Sequence, residues 1–375
     1  MRRRSRRSGT LETLGESALS LRSLSLTSLE LAHSRTSLSS RRYLDDSYAH
    51  TPVSFSYEKD YNSYMDWLQN LTTTLPYMTT PGNHESECHS PACIVGILGK
   101  GEKLKNFTAY NARWKMPSRQ SRGVEAMWYS WNQGAIHFVG ANSETDWKGA
   151  GEETHGDSGI LPAGGFAPDG AYLAWLEADL AAARAPGSPT KWIVVGGHRP
   201  IGDIATSHGP LFQKYGVELY VAGHTHSYAR SAQSVNITLP SAVEMERTAT
   251  TSRAYSPRFG YGGAEGGGAD VVNSSETNGT VYIVVGGAGC DEMDDKPTTT
   301  TEGEAGEVGV DAAGASAAAR RHRPMTAVAP AGAGPIYATD VLASGVLKVF
   351  NSTHLRWQLL RSIDGAILDE LWLVK

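Results

Sequence analysis

The chain has 375 residues, a formal net charge of −5 at pH 7 and 40% hydrophobic residues, which is enough to bury one large catalytic core. It lacks the excess of basic residues that a nucleic-acid partner requires, so we expect no nucleic-acid partner. No apolar run is long enough to span a membrane, and we expect no membrane partner. We therefore expect a soluble globular protein.

Residues 1–42 are rich in Arg, Ser and Leu. Within them, the Ser-Leu pattern of residues 19–32 is compatible with a marginal amphipathic helix. The segment has no continuous apolar stretch, which excludes a secretory signal, and Glu12, Glu16 and Glu30 argue against a transit peptide. We interpret it as the product of a truncated or mis-spliced gene model.

Three later runs share one design, in which an apolar stretch leads to glycine and then to side chains that can bind a metal. They end in Gly82-Asn83-His84-Glu85, Val195-Gly196-Gly197-His198 and Gly223-His224-Thr225-His226. We predict a strand before each motif, at Leu75 to Thr80, Lys191 to Val195 and Leu219 to Ala222. A single histidine is more often a surface or hydrogen-bonded core residue. Three strand ends of this kind instead favour a site at the carboxyl edge of an α/β sheet.

Two segments between the predicted elements have a biased composition. Residues 260–268 are glycine-rich and lack the Lys and Ser/Thr of a phosphate-binding loop, so we predict a linker. Residues 296–335 form a Thr-, Gly- and Ala-rich insertion, which we expect to be disordered. After it, the runs Gly345 to Phe350, Leu355 to Leu360 and Ala366 to Val374 are predicted antiparallel strands. We therefore divide the chain into a segment at 1–42 and a catalytic domain at 43–375 that contains this insertion.

Cys88 and Cys93 are close enough in sequence to form a small disulfide in an oxidising compartment, which leaves Cys290 over. A zinc knuckle is the alternative, although no second cysteine pair exists to complete a tetrahedral site. Six Asn-x-Ser/Thr sequons are candidate glycosylation sites: Asn70, Asn106, Asn236, Asn273, Asn278 and Asn351.

The three metal-type motifs, in this order and spacing, resemble those of the purple acid phosphatases, a family of the calcineurin-like metallophosphoesterases. Further similar stretches lie at residues 107–117, 128–138, 142–146 and 175–180. The resemblance runs from about Tyr43 to Met293, resumes near Tyr337 and continues to the C-terminus. It implies an α/β fold, the two-sheet αββα metallophosphoesterase sandwich.

That family has two earlier motifs. Leu44-Asp45-Asp46-Ser47-Tyr48 is similar to its Gly-Asp-x-x-Tyr, with leucine in place of glycine, and an ordinary solvated turn is the alternative. The other motif, Gly-Asp-x-Gly, is absent, because no Asp precedes Asp45. We therefore expect the sandwich to lack its first strand and the ligand that this strand carries.

The resemblance implies a dinuclear metal centre with Fe(3+) and a divalent metal, which is Zn(2+), Mn(2+) or Fe(2+). A phenolate is a hard anionic donor that suits the ferric ion. By resemblance, Asp45 bridges the ions, Tyr48 and His226 bind iron(III), and the divalent ion is bound by Asn83, His198 and His224.

The resemblance also implies two histidines that act on the substrate. His84, with Glu85 as its orienting partner, contacts a phosphoryl oxygen or protonates the leaving alkoxide. His208 lies where plant-type members carry another substrate-facing histidine, and a surface loop residue is the alternative.

Together these roles imply an acid phosphatase that hydrolyses small-molecule phosphate monoesters with a metal-bound hydroxide. The alternative is a degenerate, weakly active or inactive metal-binding glycoprotein, because the first metal motif is missing. The sequons and the family favour a secreted, extracellular or vacuolar protein, although we expect no signal peptide within this chain.

Overall fold

The computed structural model describes residues 57–86, 104–150, 164–231, 270–273, 279–287, 335–339 and 341–375, together with Ser20–Arg22. The helices in these ranges are α1 (Tyr57–Thr72), α2 (Thr108–Arg113), α3 (Ser118–Ser121), α4 (Ala171–Arg184), α5 (Ile201–Ile204) and α6 (Gly209–Tyr215). The strands are β1 (Ser20–Arg22), β2 (Tyr129–Gln133), β3 (Ile136–Gly140), β4 (Trp192–Gly196), β5 (Leu219–Ala222), β6 (Tyr228–Ser231), β7 (Asp270–Asn273), β8 (Val281–Val285), β9 (Pro335–Thr339), β10 (Ala343–Val349), β11 (His354–Arg361) and β12 (Ile367–Val374). Two short 3₁₀ turns lie at Asn83–Glu85 and Lys105–Phe107.

The described strands form two sheets. The larger has the strand order β2-β3-β4-β5-β8-β6-β9, and the smaller has the order β1-β10-β11-β12-β7. In the larger sheet β3, β4, β5 and β8 are parallel to one another, so their carboxyl ends lie at one edge. The predicted α/β fold with two sheets is confirmed.

Both faces of the larger sheet are covered, which explains why β4 and β5 are buried at every residue. Side chains such as Val195 and Tyr220 pack with Leu176 of α4 in one core cluster, which also holds the buried apolar residues of the other helices. The opposite face, with Val194, packs on Trp357 of the smaller sheet in a second cluster. Each fully buried aliphatic or aromatic side chain stabilises this arrangement by about 1.5–3 kcal/mol. The sheet edge that carries the motifs is therefore rigidly supported.

The three predicted C-terminal strands are confirmed as β10, β11 and β12, which pair antiparallel in the smaller sheet. The predicted strands before His198 and His224 are confirmed as β4 and β5. Leucine and tryptophan side chains on alternate positions of β11 and β12 face the second cluster, as the period of a half-buried strand requires.

Two secondary-structure predictions are wrong. The run Leu75 to Thr80 is not a strand, and only Thr80 takes part in an isolated β-bridge. Pro76 and Pro81 lack the backbone N–H that a ladder requires, which explains the difference. In the N-terminal segment, Ser20–Arg22 is not helical but forms β1, antiparallel to β10. Alternating polar and apolar residues fit a strand better than a helix.

Several predicted features lie outside the described residues. These are the Asp45 to Tyr48 motif, the three cysteines, the linker at 260–268 and the insertion up to residue 334. Pro335, the last residue assigned to that insertion, begins β9. In the part of the chain that is described, no helix is long and apolar enough to cross a membrane.

Candidate metal centre

The carboxyl ends of β4 and β5 lie side by side, with Gly196 paired to Val221. His198 and His224 each follow one of these strands by two residues. The backbone N–H of Gly223 donates to the carbonyl of His198 at 2.9 Å, and the N–H of Gly197 donates to the carbonyl of Val221 at 3.1 Å. The two histidine motifs are thus joined by their own backbones.

The third motif reaches the same place through the 3₁₀ turn Asn83–Glu85. The backbone N–H of Gly82 donates to Glu85 Oε2 at 2.7 Å, which ties the turn together. A Cβ atom on Gly82 would lie 2.9 Å from Cε1 and Nδ1 of His198, so this close approach requires glycine. The structure thus gives Glu85 a role in holding the turn, and its predicted action on His84 stays a prediction.

Three atoms of the predicted divalent set converge. His198 Nε2 lies 2.7 Å from Asn83 Oδ1, His224 Nδ1 lies 3.3 Å from the same oxygen, and the two ring nitrogens are 3.1 Å apart. Asn83 and His198 are buried, and His224 is half-buried. The structure therefore brings Asn83, His198 and His224 together as the sequence predicts.

Hydrogen bonds alone do not satisfy this triangle of atoms. If His198 Nε2–H donates to Asn83 Oδ1, that proton does not also point at His224 Nδ1. The three atoms can instead all direct lone pairs at one cation between them. For ligand distances of about 2.1 Å, two ligands at right angles around a metal are about 3.0 Å apart, close to the observed separations. The donor set fits one divalent ion.

The chemistry of this donor set is mixed nitrogen and oxygen, which suits zinc, manganese or ferrous iron. No group of three His, Cys, Asp or Glu side chains that could hold a metal occurs in the described residues. The cluster of Asn83, His198 and His224 contains only two such side chains, because its third donor is the amide oxygen of Asn83.

Burial is the main cause that lowers the pKa of His198 well below its usual value. Charge repulsion from His224, Arg199, His84 and His226 lowers it further, which places these groups around His198. The imidazole is therefore neutral, as a metal ligand must be. Its Nδ1 is buried and has no hydrogen-bond partner in the described part of the chain.

The His-x-His turn is held in an uncommon backbone conformation. His224 has φ of 64°, in the left-handed region that non-glycine residues rarely adopt. Such a conformation persists only where the surroundings enforce it. Here Gly286, which follows β8, packs against the turn: a Cβ on it would lie 2.1 Å from the carbonyl oxygen of Thr225. Its N–H also donates to the carbonyl of Ser227 at 3.1 Å.

Sequence reasoning missed Gly286. A signal was present, because Val284-Val285-Gly286-Gly287 repeats the pattern Val194-Val195-Gly196-Gly197 at the end of β4. No histidine follows this glycine pair, so no metal-binding side chain marks it in the sequence. Gly286 contributes by having no side chain, which leaves room for the carbonyl oxygen of Thr225.

His208 is not part of the cluster. Its side chain is fully buried against Trp147 and Phe212, with Nε2 2.9 Å from the Tyr172 hydroxyl and Nδ1 2.8 Å from Ser207 Oγ. Burial lowers its pKa to about 3. The alternative of a surface loop residue is wrong, because the side chain lies in the packed core; its predicted action on a substrate stays a prediction.

The remaining predicted residues divide into two groups. His84 and His226 are half-buried, and both are within range of the charge interactions that lower the pKa of His198. Asp45 and Tyr48 lie outside the described residues.

The comparisons with known proteins concern the family of the chain. Residues 43–228 match the family model of the calcineurin-like phosphoesterases. An acid phosphatase of Aspergillus ficuum is 30% identical over 230 residues, which cover 48% of this chain and 37% of that protein. Acid phosphatase type 7 of Mus musculus is 25% identical over 358 residues, which cover 86% of this chain and 59% of that protein.

Among solved structures, a purple acid phosphatase isolated from yellow lupin (Lupinus luteus) seeds is similar at 18% identity and a TM-score of 0.46, covering 84% of this chain and 44% of that one. The chain spans between about a third and three fifths of the length of the curated relatives that it matches. The matched range contains the positions of Asn83, His198, His224 and His226. The chain therefore carries a calcineurin-like phosphoesterase domain.

Proposed function

We propose that this chain hydrolyses small-molecule phosphate monoesters as a metal-dependent acid phosphatase. The observation that carries the proposal is the convergence of Asn83 Oδ1, His198 Nε2 and His224 Nδ1 within 3.3 Å of one another. Its relatives, which are named acid phosphatases, supply the reaction class.

Asn83, His198 and His224 would hold the divalent ion, which is Zn²⁺, Mn²⁺ or Fe²⁺. By resemblance, Asp45 would bridge to a second ion, Fe(3+), held also by Tyr48 and His226. Bound ions would neutralise the phosphoryl oxygens and lower the pKa of the water nucleophile. Backbone hydrogen bonds between the ends of β4 and β5 hold His198 and His224, the nitrogen donors of this set, close together.

His84 supplies the proton chemistry in this proposal. It follows Asn83 directly, is only half-buried, and lies close enough to His198 to affect its pKa. Its imidazole can therefore meet a substrate held at the centre and can donate a proton to the leaving alkoxide. The sequons favour a secreted or vacuolar location for this activity, as the family resemblance also implies.

The direct test is hydrolysis of phenyl phosphate by the purified chain, freed of metal by chelation and then titrated with Zn²⁺ or Mn²⁺. We expect turnover to depend on the added ion and to disappear again with excess chelator. Elemental analysis of the same samples gives the number of ions bound per chain. Hydrolysis that is unchanged by chelation would contradict the metal-dependent mechanism.

The same experiment separates the enzyme from a degenerate, metal-binding glycoprotein. Such a protein would bind the divalent ion at the three converging ligands and would not turn over phosphate esters. For the second ion, a Tyr48 phenolate bound to iron(III) predicts a visible charge-transfer band that Tyr48→Phe abolishes.

A further inference from the structure

A buried polar loop, residues 141–145, lies directly behind His198. All five residues are at most 1% exposed, although four of them are polar or charged. The loop follows β3 and is tied to the end of β4, because the N–H of Ala141 donates to the carbonyl of Gly196 at 2.7 Å. Burial of polar groups costs free energy unless each is hydrogen-bonded, so the bonding partners of this loop indicate its role.

Ser143 makes the contact with the candidate metal ligand. Its Oγ accepts the backbone N–H of His198 at 3.0 Å and that of Arg199 at 3.0 Å, and it donates to Glu144 Oε1 at 2.8 Å. A hydroxyl has one donor and two acceptor positions, so these three bonds use all of them. The carboxylate thereby fixes the rotation of the hydroxyl, and both lone pairs meet the two N–H groups.

Glu144 is fixed in turn. Its Oε2 accepts a hydrogen bond from Arg199 Nε at 2.9 Å, and its backbone N–H donates to Asn142 Oδ1 at 3.0 Å. The side chains of Arg199 and Glu144 are only 9% and 0% exposed. Buried ion pairs often add little net stability, because the loss of hydration offsets their attraction. The ion pair between Arg199 and Glu144 is therefore better explained by the groups that it positions than by the stability that it adds.

We propose that Ser143, Glu144 and Arg199 are positioning residues that hold the His198 imidazole at the metal site, which rests on the metal centre proposed above. The two N–H groups bound by Ser143 fix the backbone from which the His198 ring projects. Ligand side chains must be held within about 0.5 Å of their productive geometry. Loss of the hydroxyl leaves two buried N–H groups without their acceptor, and the loop that carries the ligand shifts to find another.

The opposite end of the same strands provides a matched control. Glu218 is also a buried carboxylate: its Oε2 accepts the N–H of Ile193 at 2.7 Å, and it forms a salt bridge with Arg184. Glu218 therefore connects an arginine to a backbone N–H of β4. Glu144 makes the same kind of connection just beyond β4, where it links Arg199 through Ser143 to the backbone N–H of His198. Glu218 precedes β5, whereas the candidate ligands follow the carboxyl ends of β4 and β5.

The experiment measures the Kd for Zn²⁺ by isothermal titration calorimetry, with thermal unfolding of each metal-free chain recorded alongside. It compares the unsubstituted chain with Ser143→Ala, Glu144→Gln and the control Glu218→Gln. We expect the first two substitutions to weaken Zn²⁺ binding about 10- to 100-fold, the usual effect of losing a group that orients a ligand. Glu218→Gln should lower the Tm and leave the Kd unchanged.

The outcomes are separable. An unchanged Kd in folded Ser143→Ala, or an equal loss of affinity in Glu218→Gln, overturns the positioning role and leaves the metal centre standing. A Ser143→Ala chain that does not fold also counts against it, since the hydroxyl would then serve the fold itself. If Glu144→Gln alone fails to fold, Ser143→Ala decides. Absence of Zn²⁺ binding by the unsubstituted chain overturns the metal centre, and the positioning role with it.

Discussion

His198 and His208 are both buried histidines, yet their surroundings prepare them for opposite roles. Burial lowers the pKa of both side chains, so both are neutral. Both ring nitrogens of His208 have ordinary core partners, Tyr172 and Ser207. His198 instead directs Nε2 at two other donor atoms, and its Nδ1 has no hydrogen-bond partner in the described residues.

Burial and a lowered pKa therefore do not by themselves identify a metal ligand. What distinguishes His198 is a geometry that hydrogen bonding leaves incomplete, next to a turn strained at His224. The core around His208 is complete without any ligand. Substitutions in the two regions should therefore have different consequences for metal binding, activity and stability.

The largest effect should come from His224→Ala, compared with His208→Gln. Removal of one of the three converging donors should abolish measurable binding of the divalent ion and lower turnover by about 10³-fold or more, because the bound ion would supply several kcal/mol of transition-state stabilisation. His208→Gln should keep both the ion and the turnover. Elemental analysis and phenyl phosphate kinetics measure these effects. Equal metal loss in both variants would remove the distinction between the two histidines.

In the region around His198, His84→Ala should show whether proton transfer can be lost while metal binding is kept. We expect the ions to be retained and turnover to fall about 10²-fold, the usual scale for a lost general acid. Alkyl phosphates should suffer more than phenyl phosphate, because an alkoxide leaving group depends more on protonation. An equal loss of turnover with both substrates, or a loss of metal, would contradict the role of His84 as the proton donor.

Gly286→Ala should affect the same region through the backbone. The new Cβ would lie 2.1 Å from the Thr225 carbonyl oxygen, so the His-x-His turn must shift. We expect a loss of about 1–3 kcal/mol in the free energy of unfolding and Zn²⁺ binding weakened about 10-fold.

Gly134→Ala is the control for that substitution. Gly134 has φ of 57° and no neighbouring atom within 4 Å of a built Cβ, so alanine there costs about 1 kcal/mol through its backbone conformation alone. Zn²⁺ affinity should not change. If both alanine variants bind Zn²⁺ as the unsubstituted chain does, Gly286 supports only the fold.

The parts of the fold that could be predicted are those where the local pattern and the tertiary structure agree. Apolar runs that end in glycine predicted β4 and β5, and alternating runs predicted the C-terminal strands. The run from Leu75 to Thr80 could not be assigned correctly by hydrophobicity, because two prolines decide its backbone pairing. Residues 20–22 pair with β10, more than 300 positions away, and no local pattern specifies that partner.

The candidate site divides in the same way. Asn83, His198 and His224 could be predicted because their side chains carry the chemistry. Ser143 could not, because its role is to accept backbone N–H groups from a neighbouring strand end. Contacts of that kind depend on the register between β3 and β4, which pairs Gly140 with Gly196, and hydrophobic pattern does not give this pairing.

The last expected effect concerns the acid stability of the core around His208. Burial is the main cause that lowers its pKa from 6.5 to about 3 in the folded chain. In the unfolded chain, the same side chain gains a proton as the pH falls below about 6.5. A depressed pKa therefore contributes stability that is complete above pH 6.5 and is lost progressively as the pH falls towards 3.

His208→Gln should remove this dependence, because glutamine does not titrate. Between pH 6.5 and 5, the unsubstituted chain should lose about 1.6 kcal/mol more free energy of unfolding than the variant does. Denaturant unfolding at several pH values measures the difference, and the other histidines cancel because both chains contain them. Glutamine can keep one bond to Tyr172, so the variant should be somewhat less stable at pH 7 and lose less on acidification. Parallel pH profiles would show that His208 takes up a proton equally in the folded and unfolded chains. That result would contradict its assignment as a neutral residue of the packed core.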